Sequence, residues 1–231
     1  MERYEQFLQN EQSIYDKIRK QEATLHESGL SADPAIKRKI GGLAVVARHQ
    51  RLVGKLSTLT CSLKGCFSCL VYDGTNEHST FCVKDEPDFV FNPCLHKEKL
   101  IALAETVAAV LANMSIAQQR ECIVRYDKPL YNATTVILPG EPRQAYVDLL
   151  LTISDTCTKR VYVRPSWGSH ITIARFLRAH QPSEIESFLR FMSLRAQAVG
   201  ENLLDTIDVI VFRTTHEAFQ LTTFERFTLE H

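Results

Sequence analysis

The chain has 231 residues, which is enough for one large domain or two small ones with a substantial buried core. Hydrophobic residues make up 45% and charged residues 23%, so the composition excludes a globally disordered chain. Lysine plus arginine balances aspartate plus glutamate at 27 each, and this lack of a basic excess disfavours a protein that grips long nucleic-acid duplexes, although a local basic patch stays open.

Cysteine content and the N-terminal sequence bear on the compartment. The seven cysteines are odd in number and sparse, which favours reduced thiols in an intracellular protein. Cys66 and Cys69 form a C-x-x-C motif, but no second ligand pair follows, so buried thiols are favoured over a metal or redox site. The N-terminus lacks the apolar core of a signal peptide, and the apolar stretch 100–114 is too short to cross a bilayer. We therefore expect a cytoplasmic protein without membrane association.

The first segment of the chain is polar. Residues 1 to about 27 carry apolar side chains at roughly helical spacing, including Phe7, Ile14 and Ile18, and Gly29 follows as a helix terminator. The sequence therefore predicts an N-terminal helical extension over residues 1–38, and residues 39–231 are predicted to form one domain. The helix is expected to pack on that domain, with binding of a protein partner as the alternative.

From residue 41 onward, short apolar strands alternate with helices. The predicted strands are 42–47, 66–72, 78–83, 120–126, 134–138, 160–163, 170–176, 208–213 and 220–229. The predicted helices are 49–62, 96–114, 144–153 and 182–199, the last with Ser183 as N-cap and Gly200 as its stop. The order strand, helix, strand, His-bearing strand, helix, strand occurs twice with little residue identity. This repeat of pattern predicts an α+β protein with two similar lobes.

Two His-x-Thr triplets occupy equivalent places in the repeat. They read His78-Ser79-Thr80 and His170-Ile171-Thr172. Residues i and i+2 of a strand share a face, so each histidine shares a face with its threonine. By the same alternation Cys82 and Ala174 come next on that face, and their small size is expected to leave room for a ligand.

Two imidazoles that face one another suit acid/base chemistry on a phosphodiester. One accepts a proton from the attacking hydroxyl or water and the other donates a proton to the departing oxygen, with an ordinary pKa of about 6.5. The threonine hydroxyls can hold phosphate oxygens without adding charge. Two such triplets arise by chance in roughly one sequence in ten. The prediction therefore depends on their equivalent positions on strands.

The chain resembles the 2H phosphoesterase superfamily, which is named for two H-x-T/S motifs in a bilobal α+β fold. Residues 170–175 read His-Ile-Thr-Ile-Ala-Arg, close to the His-Ile-Thr-Leu-Ala-Arg of its LigT-like and cyclic-phosphodiesterase members. The resemblance covers residues 40 to 231. It implies two pseudo-symmetric lobes whose antiparallel sheets line a central cleft, with the helices outside.

The resemblance also implies a function and a site. The catalytic acid/base pair would be His78 and His170, with Thr80 and Thr172 binding the phosphate, and no metal or cofactor. The activity implied is that of a hydrolase, a phosphodiesterase for a cyclic nucleotide phosphate, a 2′,5′-linked oligonucleotide or an RNA end. We expect a monomer that binds a nucleotide or short RNA. The alternatives are a nucleotide- or phosphate-binding module of the same fold, and a structural domain whose histidines lie too far apart to share one phosphate.

Three further residues are candidates for contact with the substrate. Alternation places Arg175 on the face opposite Thr172 unless the strand bends, so a substrate contact and a structural salt bridge both stay open. Trp167 and Tyr162 precede the second triplet, and base stacking and simple packing both stay open for them. The histidines without a threonine two residues later, such as His49, are expected to be structural or solvated.

Overall fold

Helices and strands alternate along most of the chain in the computed structural model, which describes residues 2–74 and 76–230, without the side chains of Gln50, Arg51 and Val53. The helices in this part are α1 (Glu2–Ala23), α2 (Leu25–Ser28), α3 (Pro34–Lys37), α4 (Gln50–Cys66), α5 (Lys97–Ala112), α6 (Ile116–Arg120), α7 (Gln144–Val161) and α8 (Pro182–Arg195). The strands are β1 (Gly41–Arg48), β2 (Cys69–Val71), β3 (Ser79–Glu86), β4 (Ile123–Tyr126), β5 (Leu130–Tyr131), β6 (Thr135–Leu138), β7 (Gly140–Pro142), β8 (Arg164–Pro165), β9 (Ile171–Phe176), β10 (Gly200–Leu203), β11 (Thr206–Thr214) and β12 (Phe219–Thr228). A 3-10 turn, Pro93–His96, precedes α5.

The strands form two antiparallel sheets. The larger sheet has the order β12-β11-β1-β3-β9-β6-β5, with β2 added to β9 and β8 added to β3. The smaller sheet has the order β10-β4-β7. The pairings in both sheets are antiparallel. The predicted α+β class with antiparallel sheets is confirmed.

The predicted repeat of elements is present, and its halves are interleaved. Apart from the short elements α6 and β7, the first half runs β1-α4-β2-β3-α5-β4 and the second runs β6-α7-β8-β9-α8-β10. Within each half the first strand pairs with the His-bearing strand, β1 with β3 and β6 with β9. The short strands are exchanged, because β2 pairs with β9 and β8 pairs with β3. Nine strands from both halves form one continuous sheet, so the halves do not have separate sheets. The arrangement as two lobes around a central cleft therefore stays a prediction.

The two faces of the large sheet have different roles. Residues of α4, α5, α7 and α8 pack on one face and bury Val45, Phe81 and Ile173 completely in the main core. The other face carries a smaller apolar cluster that includes Ala44 and Phe212. The second face is therefore the face of the large sheet on which a site can reach solvent.

Helix α1 packs on the domain, as expected. Its buried residues are Phe7, Glu11, Tyr15 and Ile18. The buried stripe therefore includes a carboxylate that the apolar pattern did not predict. Binding of a protein partner by this helix stays a prediction.

Two predicted boundaries around α7 and α8 are wrong. Helix α7 continues to Val161 through the strand predicted at 160–163, because its buried stripe of Ile153, Cys157 and Val161 continues at helical spacing. Helix α8 ends at Arg195 rather than at residue 199.

The capping residues of α8 also differ from the prediction. Gln181, not Ser183, is the N-cap, and it forms a capping box with Glu184. Gly200 does not stop α8. It begins β10 with φ of 84°, a conformation that glycine adopts without strain.

The C-x-x-C motif spans an element boundary. Cys66 ends α4 and is exposed, whereas Cys69 is buried in β2. The expectation that both thiols are buried is wrong for Cys66. The seven cysteines are free.

Candidate active site

The two triplets meet where β3 and β9 pair. Ser79 lies directly opposite Ile171, and both side chains are buried. In an antiparallel register, stepping one residue each way places each histidine opposite the threonine of the other strand. These pairs are His78 with Thr172 and His170 with Thr80. Diagonal neighbours in such a ladder lie about 7–8 Å apart, which is close enough for two imidazoles to share one phosphate.

The motif residues line one cavity of about 310 Å³ on the face opposite the main helices. Arg175 and Trp167 line the same cavity. Its other walls include Tyr72, Val83, Asp85, Arg164, Phe212 and Phe219. Larger grooves of about 810 and 870 Å³ lie beside α1 and between α5 and α7, but no histidine is among the described residues that line them.

A β-bulge follows the triplet in each strand. Opposite β1, Thr80 pairs with Val46 and Cys82 pairs with Val45, so Phe81 is the extra residue. A bulge of this kind reverses the alternation of side chains beyond it. The residues after the bulge therefore exchange faces.

The same bulge occurs at Ile173 in β9, where Thr172 pairs with Ile137 and Ala174 pairs with Val136. These irregularities make the sequence prediction for the cavity floor wrong. Cys82 and Ala174 do not face the cavity. Both are fully buried in the main core.

Val83 and Arg175 take the place of the small residues on the cavity wall. They are equivalent in the repeat, since each lies five positions after its motif histidine. Arg175 also donates from Nε to the Tyr72 hydroxyl at 2.9 Å and from Nη1 to Asp33 at 2.6 Å. Arg175 thus forms a structural salt bridge with Asp33 and also lines the cavity, so both alternatives left open by the sequence hold.

His78 is anchored by the backbone. Its Nδ1 lies 2.6 Å from the carbonyl oxygen of Asn76, so Nδ1 carries the proton and Nε2 has the free lone pair. Burial lowers the pKa of His78 to about 4, with Arg48 and Arg175 adding to the shift and the Asn76 carbonyl opposing it. The ring stacks on Phe219 with centroids 5.6 Å apart.

His170 is held differently. Its ring stacks on Trp167 with centroids 3.8 Å apart and planes inclined by 13°. Burial lowers the pKa of His170 to about 3, and Arg175 and His78 lower it further, while the Gly168 backbone opposes the shift. Its buried Nδ1 makes no hydrogen bond to the residues that the structure describes. Both imidazoles are therefore neutral at pH 7 in the free protein.

The remaining predicted residues differ in position. Trp167 packs between His170 and Tyr15, with the Tyr15 ring edge-on at 5.6 Å. Tyr162 follows α7 in the left-handed conformation, is 83% exposed, and is not among the described residues that line the cavity. Its contact with a substrate stays a prediction.

Sequence reasoning missed Glu11. This carboxylate on α1 accepts hydrogen bonds from the Ser169 backbone N–H and hydroxyl, one residue before His170. The signal was a charged residue on the buried stripe of an amphipathic helix, between Phe7 and Ile18. Such a residue is seldom buried without a partner.

Neither a metal cluster nor a membrane span is found in the described ranges. Residues 2–74 and 76–230 contain no group of three or more His, Cys, Asp or Glu side chains placed to hold a metal ion. No helix in these ranges is long and apolar enough to cross a membrane. Independence of the chemistry from metal stays a prediction.

No protein-family model and no curated protein sequence matches the chain. Solved structures match its fold. A phosphoesterase matches with a TM-score of 0.55 at 12% identity over 83% of this chain and 99% of its own. Escherichia coli LigT complexed with 3′-AMP matches with a TM-score of 0.55 at 11% identity over 84% and 100%. The protein TT0787 of Thermus thermophilus matches with a TM-score of 0.53 at 12% identity over 82% and 98%.

Identities this low establish architecture and leave activity open. The matches extend over almost the whole length of the solved structures, so the likeness is that of a complete fold. It agrees with the resemblance indicated by the two triplets. The chain therefore has the fold of the 2H phosphoesterase superfamily.

Proposed function

We propose that the protein is a phosphodiesterase that hydrolyses a nucleotide phosphodiester by acid/base catalysis between His78 and His170. The observation that carries the proposal is the shared cavity, lined by both imidazoles and both motif threonines. LigT, which has the same fold, is known in complexes with 3′-AMP, ATP and NADP+. These complexes support a nucleotide as the ligand.

The two histidines have different roles in the proposal. His78 accepts the proton of the attacking water at Nε2, because the Asn76 carbonyl retains the proton on Nδ1. As the water oxygen bonds to phosphorus, the bond from phosphorus to the departing oxygen breaks and His170 protonates that oxygen. Binding of the phosphate anion raises the pKa of His170, so the ring takes up a proton from solvent before it donates that proton to the departing oxygen.

The threonines and Arg175 act on the phosphate itself. The hydroxyls of Thr80 and Thr172 donate to the non-bridging oxygens, where charge develops in the transition state. Arg175 provides the positive field that both imidazoles sense through their lowered pKa values. A cavity of about 310 Å³ lies at the low end of the range for small-molecule sites. This size favours a cyclic nucleotide phosphate, a short 2′,5′-linked oligomer or an RNA end over a duplex.

One observation favours a second function, a binding module without turnover. Both imidazoles are neutral at pH 7 in the free protein, with pKa values of about 4 and about 3. A site with two neutral imidazoles, two hydroxyls and one guanidinium can bind phosphate without protonating a leaving group. Tight binding of a nucleotide with no product formed over hours would support this function.

The test is turnover of a substrate panel in excess chelator. The panel contains 2′,3′-cyclic mononucleotides, 2′,5′-linked and 3′,5′-linked dinucleotides. We expect the wild-type chain to hydrolyse at least one class, and His78→Ala and His170→Ala to lose that activity while remaining folded. The matched control is His216→Ala, because His216 is exposed on the turn between β11 and β12. Full activity of either motif variant would overturn the proposal.

A further inference from the structure

Helix α1 lies outside the stretch that resembles the 2H phosphoesterases, yet it contacts the segment that leads into His170. Oε1 of Glu11 accepts hydrogen bonds from the Ser169 backbone N–H at 2.5 Å and from the Ser169 hydroxyl at 2.8 Å. The Tyr15 hydroxyl lies 3.1 Å from the same oxygen. Glu11 is 3% exposed. Three donors thus converge on one buried carboxylate oxygen.

The backbone around this carboxylate is packed without spare room. A Cβ added at Gly168 would lie 2.7 Å from Oε1 of Glu11. A Cβ added at Gly140 would lie 2.6 Å from the Ser169 hydroxyl, so Ser169 is held between the helix and β7. The Tyr15 hydroxyl also accepts from the Gly140 N–H at 3.0 Å. Ser169 therefore has contacts on both sides that resist a shift along the chain.

The same helix also reaches the imidazole through an aromatic stack. The Tyr15 ring meets Trp167 edge-on at 5.6 Å, and Trp167 lies flat against His170 at 3.8 Å. His170 needs this support more than His78 does. His78 is fixed by the 2.6 Å contact of its Nδ1 with Asn76, whereas the Nδ1 of His170 has no partner at normal hydrogen-bond geometry among the described residues and interacts only weakly with the Gly168 backbone.

We infer that α1 is part of the active site, with Glu11 a positioning residue for His170 and Tyr15 a support for the ring of Trp167. The kinetic part of this inference rests on the proposed function. Charge-assisted hydrogen bonds of a buried carboxylate are about twice as strong as neutral ones, so Glu11 is well suited to hold a peptide group. Misplacing a catalytic group by about 1 Å can cost about 100-fold in rate.

Glu11 also connects this anchor to pH. Burial raises the pKa of Glu11 to about 7, while its bonds to Ser169 and Tyr15 oppose the shift. The other titratable groups near enough to interact with it are Tyr4, Tyr126, Glu141 and Tyr146. Glu11 lines the groove between α1 and β7, so protons reach it from solvent. Ionisation strengthens the acceptor, so the anchor is stronger above pH 7 than below.

Two substitutions of Glu11 distinguish its role as a hydrogen-bond acceptor from the role of its negative charge. Glu11→Gln keeps an oxygen for the three donors and removes the ionisation, whereas Glu11→Ala removes both. We expect Glu11→Gln to retain kcat within about threefold at pH 6, and Glu11→Ala to lower kcat by about tenfold to 100-fold with little change in KM. Glu5→Ala is the matched control, an exposed glutamate on the same helix.

The second readout needs no turnover. Trp167 is the one tryptophan in the sequence, so its fluorescence reports on the stack with Tyr15 and His170. We expect a fluorescence inflection near pH 7 in the wild-type chain and in Glu5→Ala, and its loss in Glu11→Gln. If Glu11→Ala fails to fold, Ser169→Ala removes one donor to the same oxygen and is expected to lower kcat with little change in KM.

Unchanged kcat in folded Glu11→Ala, or an inflection that persists in Glu11→Gln, would overturn the inference. If Glu11→Ala does not fold, unchanged kcat in Ser169→Ala would overturn the inference instead. A wild-type chain without turnover would instead contradict the proposed function, and the fluorescence titration would still decide the role of Glu11.

Discussion

Ser79 of β3 lies directly opposite Ile171 of β9, and this pairing is the point about which the two halves of the chain are related. Ile171 is buried in the main core on the helix-covered side of the sheet, and Ser79 is buried next to Tyr146 of α7 on the same side. Their neighbours on either side consequently face the cavity as a square of two imidazoles and two hydroxyls. A slip of one residue in this register would turn these four side chains into the core.

The roles proposed for the two histidines predict different responses to the leaving group. A nitrophenolate departs without a proton, so His170→Ala is expected to regain most of its lost activity on a nucleoside nitrophenyl phosphodiester. His78→Ala is expected to stay inactive on the same substrate, because the water still needs a base. The measurement is kcat/KM for both variants on the nitrophenyl and natural-type esters. Equal rescue of both variants would contradict the assignment.

We expect kcat/KM to be highest at acid pH and to fall as the pH rises. The proposed acid, His170, has a pKa of about 3 in the free protein and the proposed base, His78, a pKa of about 4. Between pH 5 and 8 the protonated fraction of His170 therefore falls as pH rises, and kcat/KM should fall by up to about tenfold per unit.

The profile of kcat should lie at higher pH, because the bound phosphate anion raises the pKa of His170. Arg175→Met should shift both profiles to higher pH, because removing this positive charge raises the pKa values of His78 and His170. Steady-state kinetics over pH 4 to 9 in constant ionic strength tests these shifts. A kcat/KM that rises from pH 5 to 8 would contradict them.

The ion pair of Arg175 with Asp33 should matter for both stability and activity. Asp33 also accepts from the Ala35 N–H at 2.7 Å and so caps α3. Arg175→Ala leaves this buried carboxylate without its guanidinium and should lower the free energy of unfolding by about 1–3 kcal/mol. Arg178→Ala is the control, since its ion pair with Glu184 is exposed and exposed pairs contribute about 0–1 kcal/mol.

Urea unfolding of the two variants beside the wild type gives the comparison. KM for the substrate should rise in Arg175→Ala alone, because its guanidinium lines the cavity. Equal losses of unfolding free energy in both variants would show that the buried pair of Arg175 with Asp33 contributes no more than an exposed ion pair.

His49 should make the stability depend on pH. It is buried, with Nδ1 2.9 Å from the Leu203 carbonyl oxygen and Nε2 3.0 Å from the Tyr126 hydroxyl. Burial lowers its pKa from 6.5 to about 4, so the unfolded chain binds the proton first as pH falls. The stability that neutral His49 contributes is therefore complete above pH 6.5 and is lost as pH falls through 4, at up to about 1.4 kcal/mol per unit.

The difference in unfolding free energy between the wild type and His49→Gln should thus shrink from pH 7 to pH 5. Using a difference cancels the titration of Glu11 and Glu77, whose raised pKa values act in the opposite direction. A difference that is constant over this range would contradict the prediction.

The sequence by itself determined the features that depend on local pattern. The triplets His78 to Thr80 and His170 to Thr172, the twofold order of elements and the packed helix α1 all follow from spacing and composition over short windows. The α+β class followed from the same patterns, whereas the antiparallel sheets were implied by the resemblance to the 2H phosphoesterases. Extending α7 through residue 161 was also within reach, because its stripe keeps helical spacing.

Only the tertiary structure decided which side chains line the cavity. The bulges at Phe81 and Ile173 exist because of the register with β1 and β6, and pairing between distant strands leaves no trace in the alternation of one strand. They carry Cys82 and Ala174 into the core and bring Val83 and Arg175 to the cavity wall. The contact of Glu11 with Ser169 joins residues 158 positions apart, and a periodic pattern can mark Glu11 as buried but cannot name its partner.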